Sequence, residues 1–115
     1  MIDYSPTLVE ALKTILPTYY ELKLSSGIKT PCISYQERSN AAQEQGETIG
    51  YSRISYTIKV WGNDLEKLNK YAKQIDNVLR PLGWKRTGAQ ELHSLQSANI
   101  QKILTYEALF HENFN

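Results

Sequence analysis

Residues 49–61 read IGYSRISYTIKVW, and from residue 53 onward apolar and polar side chains alternate with a period of two. Ile54, Tyr56, Ile58 and Val60 fall on one face of an extended chain, and Arg53, Ser55, Thr57 and Lys59 fall on the other. One buried face and one wet face is the signature of a strand in an antiparallel sheet. Gly62 and Asn63 end the run, and Asn63 with Glu66 three residues later makes a capping-box pattern that opens a helix. Leu65, Leu68, Ala72, Ile75 and Leu79 then recur at helical spacing, joined by Val78, while Glu66/Lys70 and Asp76/Arg80 sit four apart on the polar side.

Toward the N-terminus, residues 31–38 place Ile33 and Tyr35 on one face and Cys32 and Ser34 on the other, with Pro31 suited to the first position of a strand or to an edge. Residues 19–24 alternate in the same way before Ser25, Ser26 and Gly27 break the pattern. Ser5 followed by Pro6 reads as an N-cap and a first helical residue. Leu8, Leu12, Ile15 and Leu16 follow at helical spacing, so a helix is expected over residues 6–16, stopped by Pro17.

Between the two best strands, residues 39–48 read SNAAQEQGET and contain no large apolar side chain to offset the entropy of ordering a backbone. A mobile loop is expected there, longer than a hairpin needs. Loops of that length are either solvated connections or segments that order on binding.

Beyond the second helix, Pro81 marks its last turn and Gly83 supplies a left-handed stop. A strand is expected over residues 84–87, a short one over 90–93, and a last one over 100–110. In that last strand Ile103 and Leu104 point to opposite faces, as do Leu109 and Phe110, which predicts cover on both sides. Residues 111–115 read as a loose tail. The order helix, three strands, helix, two or three strands predicts an α+β fold in which an antiparallel or mixed β-sheet is packed by two helices. No linker or repeat divides the chain, so residues 1–115 form a single domain.

Composition narrows the functional classes. The chain has 115 residues, 13 Lys plus Arg and 12 Asp plus Glu, for a formal charge of +1. That balance is too small for the bulk phosphate attraction behind general nucleic-acid affinity. Residues 1–5 carry no basic stretch leading into an apolar run, and no segment approaches the ~18 consecutive apolar residues of a membrane helix. A cytoplasmic protein without membrane partners is expected. The lone Cys32 lies in an apolar stretch beside Ile33 and reads as a buried, inert thiol. Eight tyrosines against two phenylalanines suggest strands half exposed to water or to a partner.

No chemistry converges in the sequence. Cys32, His93 and His111 are isolated, without metal-ligand spacing, and neither histidine stands in a recognisable catalytic motif. Glu91 and Glu107 are the one carboxylate pair that neighbouring strands can bring together, against the plainer use of pairing with Lys102, Lys85 or Arg86. Glycines 46, 50, 62, 83 and 88 are scattered among turns and form no phosphate loop. Trp84-Lys85-Arg86 mixes an aromatic ring with two cations, but a core tryptophan flanked by solvated charges explains it better. No catalytic residue, cofactor or metal is expected.

Several segments in order resemble the tail completion, or tail terminator, proteins that join tail to head in long-tailed bacteriophages and prophages. These are residues 31–37 (PCISYQE), the polar stretch after them, Gly50-Tyr51-Ser52 running into residues 56–61 (YTIKVW), the amphipathic helix, residues 82–87 (LGWKRT) and residues 102–107 (KILTYE). The resemblance implies a non-enzymatic virion protein, made in the bacterial host cytoplasm, that closes the head-proximal end of the tail as a ring, usually a hexamer. The implied partners are sister subunits, the major tail tube protein and the head-tail connector protein, with DNA only as passing cargo. Ser39, Asn40, Gln43, Glu44, Gln45 and Glu47 of the polar stretch, with Tyr51, Arg53 and Trp61 on the wetter face of the main strand, are the candidate interface. A head-completion or connector-stopper protein and a small nucleic-acid-binding module, with Tyr51, Trp61 and Trp84 as stacking platforms, are the alternatives.

Overall fold

The computed structural model describes residues 5–21, 29–44, 49–93 and 99–113; the side chains of residues 5, 39–44, 49–52 and 110–113 lie outside that description. The elements run α1 (Ser5–Lys13), β1 (Thr18–Tyr20), β2 (Cys32–Glu44), β3 (Ile49–Gly62), α2 (Leu65–Leu79), β4 (Lys85–His93) and β5 (Ile100–Asn113), with a 3₁₀ turn at Arg80–Leu82 between α2 and β4. The five strands form one mixed sheet in the order β1-β2-β3-β5-β4. All pairs are antiparallel except β1 with β2. The expected α+β fold with two helices on a mixed sheet is the fold found.

β3 is the central strand, flanked by β2 and β5, and its alternation is realised as read: Ile54, Tyr56, Ile58 and Val60 are buried while Arg53 is exposed. Both helices lie over that apolar face. From α1 come Leu8 and Leu12, from α2 Leu68, Ala72, Ile75 and Leu79, and from β5 Leu104, Tyr106 and Ala108, all in one cluster with Ile33 and Trp84. Each large side chain taken fully from water contributes about 1.5–3 kcal/mol before entropy is counted. α2 is the amphipathic helix expected, but its N-cap is Asp64 and not Asn63. The Asp64 carboxylate Oδ1 accepts from the backbone N–H groups of Glu66 at 3.1 Å and Lys67 at 3.4 Å. A carboxylate at that position also complements the positive end of the helix dipole.

The tyrosines follow the expectation in part: Tyr20, Tyr35 and Tyr71 are half-buried and Tyr19 is exposed, whereas Tyr56 and Tyr106 are buried. Tyr20, Tyr35 and Tyr56 stand side by side across the helix-covered face of β1, β2 and β3, with ring centroids 5.5 and 6.4 Å apart, and Tyr56 meets Trp84 edge-on at 5.5 Å. Tyr56 and Tyr106 are buried and keep a polar anchor: Tyr56 donates its hydroxyl to Glu37 Oε2 at 3.1 Å, and Tyr106 donates to Asp76 Oδ1 at 3.1 Å. At these two positions tyrosine builds core, where a ring fills volume and its hydroxyl reaches a carboxylate at the rim.

Strand lengths depart most from the sequence reading. Residues 39–44 are strand, not loop, and β2 pairs with β3 as far as Glu44↔Gly50. Residues 111–113, expected as tail, continue β5 against Ile49–Tyr51. Residues 85–93 make one strand, whose interruption is a register irregularity between Arg86 and Gly88. α1 is shorter than residues 6–16, ending at Lys13 in a turn held by Ile15 N–H to Leu12 C=O at 3.0 Å. β1 covers Thr18–Tyr20, and residues 22–24 of the strand expected there lie outside the described residues.

Candidate interaction surface

β3 has 14 residues, which at ~3.3 Å each make a strand roughly 45 Å long. α2 has 15 residues and at ~1.5 Å each spans only about 22 Å. Among the described side chains the helix-covered cluster reaches Ile54 on β3 and Ala108 on β5. The rest of β2, β3 and β5 continues past them as a three-stranded ribbon, and the molecule measures 53 × 25 × 24 Å. Its radius of gyration, 15.6 Å, exceeds the ~13 Å of a compact domain of this length. Ser39, Asn40, Gln43, Glu44 and Tyr51 all sit on this ribbon, in the registers Ser39↔Ser55, Asn40↔Ile54, Gln43↔Tyr51 and Glu44↔Gly50. Gln45 and Glu47 lie outside the described residues. Among the described residues the outer edge of β2 has no partner along the ribbon, because β1 pairs there only with Ile33, Ser34 and Tyr35.

The second part of the surface is the sheet face that carries no helix. Arg53 and Trp61 share it, eight positions apart on β3, or roughly 27 Å. Arg53 is half exposed and its Nε approaches Glu107 Oε1 at 3.4 Å across the β3–β5 pair. Trp61 donates its indole N–H to Ser34 Oγ at 2.9 Å, and Lys59 Nζ stands 5.9 Å from the centre of its ring. Lys59 is also ion-paired with Glu21. These contacts anchor a half-buried indole by its edge to Ser34, which is 0% exposed on the face away from the described helices.

Other residues join this face without having been read from the sequence as interface. Tyr19, the register partner of Ser34, is exposed at the β1 edge, and Leu92 and Leu109 are 53% and 52% exposed. Ile103 is buried here between its register partners Lys59 and Gln90. The expectation of cover on both sides of β5 thus holds at Ile103 and fails at Leu109. The signal was present in the alternation, since Leu109 and Ile103 stand at odd positions while the core side chains of β5 stand at even ones.

The groups considered for chemistry are spread apart. Glu91 binds Lys102 at 3.0 Å, with His93 Nε2 at 3.6 Å, and this hydrogen bond with its ammonium partner holds the Glu91 carboxyl below its ordinary range. Glu107 projects from the other face of the sheet toward Arg53, so the two carboxylates do not converge. Cys32 is 1% exposed, and burial pushes its thiol pKa up, which disfavours a reactive thiolate. Trp84 is 2% exposed and unable to stack on a nucleobase, whereas Lys85 and Arg86 beside it are exposed. Among the described residues no cluster of three His, Cys, Asp or Glu side chains is arranged to hold a metal ion, and no helix is long and apolar enough to cross a membrane.

No protein-family model matches this chain, and no curated protein does. The surface has to be read on its own geometry. Among the described residues it consists of a ribbon with an open strand edge and a helix-free face bearing an anchored tryptophan, exposed leucines and paired charges. Such a surface suits contact with folded protein, because aromatic anchors and open edges supply apolar area and backbone hydrogen bonds together.

Proposed function

We propose that this chain is a structural assembly protein that closes the end of a phage tail tube as a ring of identical subunits and joins the tail to the head connector. The observation that supports this reading most is the ribbon, in which three strands run on beyond the helices that bury the rest of the sheet. A ribbon without a covering layer is marginal alone and gains its stability when another chain packs on it. In a ring, the same ribbon on each subunit reaches its neighbour through a head-to-tail contact, which closes when the rotation closes. The helix-free face around Trp61 and Arg53 provides a second surface for the tube or the connector. The protein acts by burying surface, not by turning over a substrate.

The order of segments that resembles tail completion proteins supports the virion role. A nucleic-acid module using three stacking aromatics is weakened by the burial of Trp84. The test is electron microscopy of particles assembled without this chain. Overlong or headless tails are expected; normal virions overturn the proposal, and complete tails beside leaking, DNA-filled heads move the protein to the head side of the joint.

A further inference from the structure

After α2 the chain turns through Arg80–Leu82 and Gly83 into β4, and this corner surrounds a concavity of about 410 Å³ lined by Arg80, Gly83, Trp84, Lys85 and Arg86. We propose that this concavity is a phosphate-binding site, in which the guanidinium groups of Arg80 and Arg86 and the ammonium group of Lys85 take an inorganic phosphate or a phosphodiester of a nucleic-acid backbone. The inference is independent of the assembly role and stands on a different part of the molecule.

Charge carries the first step. Three of the five lining residues are cations and none is an acid. The carboxylates nearest in the fold already have partners: Asp76 receives Arg80 Nη2 at 2.7 Å and the Tyr106 hydroxyl at 3.1 Å, and Glu107, the register partner of Lys85, is paired with Arg53 at 3.4 Å. Two other concavities on the surface contrast with this one. That of about 310 Å³ beside Lys70 and Lys73 has Glu66 in its wall, and that of about 160 Å³ beside Lys67 has Asp64. Cations mixed with acids neutralise each other; at the α2–β4 corner Arg80 shares its charge with Asp76, while Lys85 and Arg86 have no acid beside them in the lining.

Preorganisation is the second step. The Asp76 contact fixes the guanidinium of Arg80, so less side-chain entropy is lost when an oxyanion arrives. Trp84 forms a rigid wall, buried and set edge-on to Tyr56. Gly83 adopts φ 96° and contributes no side chain to the lining, so the opening is set by backbone. Cations near a helix C-terminus often serve only its dipole. Here the last carbonyls are already capped, by Gly83 N–H to Arg80 C=O at 3.0 Å and Trp84 N–H to Leu79 C=O at 3.2 Å, and Lys85 and Arg86 belong to the strand beyond. Lys85 and Arg86 leave β4 on opposite faces, in register with Glu107 and Tyr106, and β4 is the edge strand of the sheet, so an oxyanion at the corner is met around that edge, by the guanidinium fork and by the ammonium point charge.

The experiment titrates the full chain at low salt with inorganic phosphate, followed by amide NMR, and with a labelled single-stranded and a labelled duplex oligonucleotide, followed by anisotropy. Shifts centred on Gly83, Trp84 and Lys85 are expected, with affinity falling about tenfold or more in K85Q/R86Q, the equivalent of one or two charge-assisted hydrogen bonds, and unchanged in K70Q/K73Q. Both pairs are exposed, so both variants fold. Phosphate that displaces the oligonucleotide identifies a backbone-phosphate site, and phosphate bound where oligonucleotide is not identifies a free-phosphate site; either sustains the proposal. Equal weakening by both variants, or no shift at the corner with any of the three probes, overturns it.

Discussion

The indole N–H of Trp61 donates to the buried hydroxyl of Ser34 at 2.9 Å, across the β2–β3 pair on the face without helices. The bond ties a half-buried aromatic side chain of that face to the sheet. Trp61→Phe removes the donor and leaves the Ser34 hydroxyl short of a partner in a dry site, at an expected cost of about 1–3 kcal/mol. Urea unfolding of W61F, S34A and the double variant measures it. Because the two residues act as one unit, the double variant is expected to lose less than the sum of the single losses.

Helix α2 is capped by Asp64. Asp64→Ala is expected to lower stability by about 1 kcal/mol, whereas Asn63→Ala leaves it almost unchanged. Thermal unfolding of the two variants decides between the capping residue in the structure and the one the sequence pattern suggests, and a larger loss from N63A reverses the assignment.

Ile75 of α2 and Ile58 of β3 are 0% exposed in the same cluster. Truncating either to alanine removes buried methylenes and leaves a cavity, with an expected loss of about 2–5 kcal/mol. Denaturant midpoints should fall while the slope stays constant, since the surface exposed on unfolding hardly changes.

Burial, with Asp76 beside it, pushes the Tyr106 phenol well above its ordinary value. The unfolded chain releases that proton near pH ~10, while the folded chain keeps it to higher pH. The folded state thus binds more protons above ~10, so the contribution of Tyr106 to stability is complete below that pH and declines as pH rises toward the folded value. Stability of wild type and Tyr106→Phe measured between neutral and strongly alkaline pH should show a steeper alkaline loss in wild type. Parallel curves contradict this.

Legibility of the fold followed how each segment obtains its order. β3 and α2 bury one face each along their whole described cores, so periods of two and of three to four appear directly at Ile54–Val60 and Leu68–Leu79. Residues 39–44 carry no such signal, because they include no large apolar residue to alternate, and their strand conformation is seen only in the pairing with β3. β4 looked like two short strands because its register shift falls between Arg86 and Gly88. The parallel β1–β2 contact depends on where the chain lands after α1, with Ile33 N–H bonding Pro17 C=O at 2.8 Å, a long-range fact invisible in a local window. Of the candidate surface, Arg53 and Trp61 were readable as one face of one strand. Tyr19, Ile103 and Leu92 join them only through strand order.

If the ribbon docks on a partner, its backbone should record the event. Amides of residues 39–44 are expected to exchange hydrogen faster than those of residues 32–37 in the isolated subunit, and to slow on assembly while amides of α2 do not change. Identical protection in free and assembled protein removes the ribbon from the interface.

The place of β3 at the centre of the sheet also bears on how the chain acquires its shape during synthesis. One flank of β3 can pair with β2 as soon as both have left the ribosome, but the other waits for β5, the last strand of the fold. Until then a 14-residue edge with an apolar side stands open, the kind of template on which unfinished chains adhere to one another. Translation that stalls before residue 100 therefore yields an aggregation-prone fragment, and a chaperone that shields β3 during that interval would raise the yield of native protein.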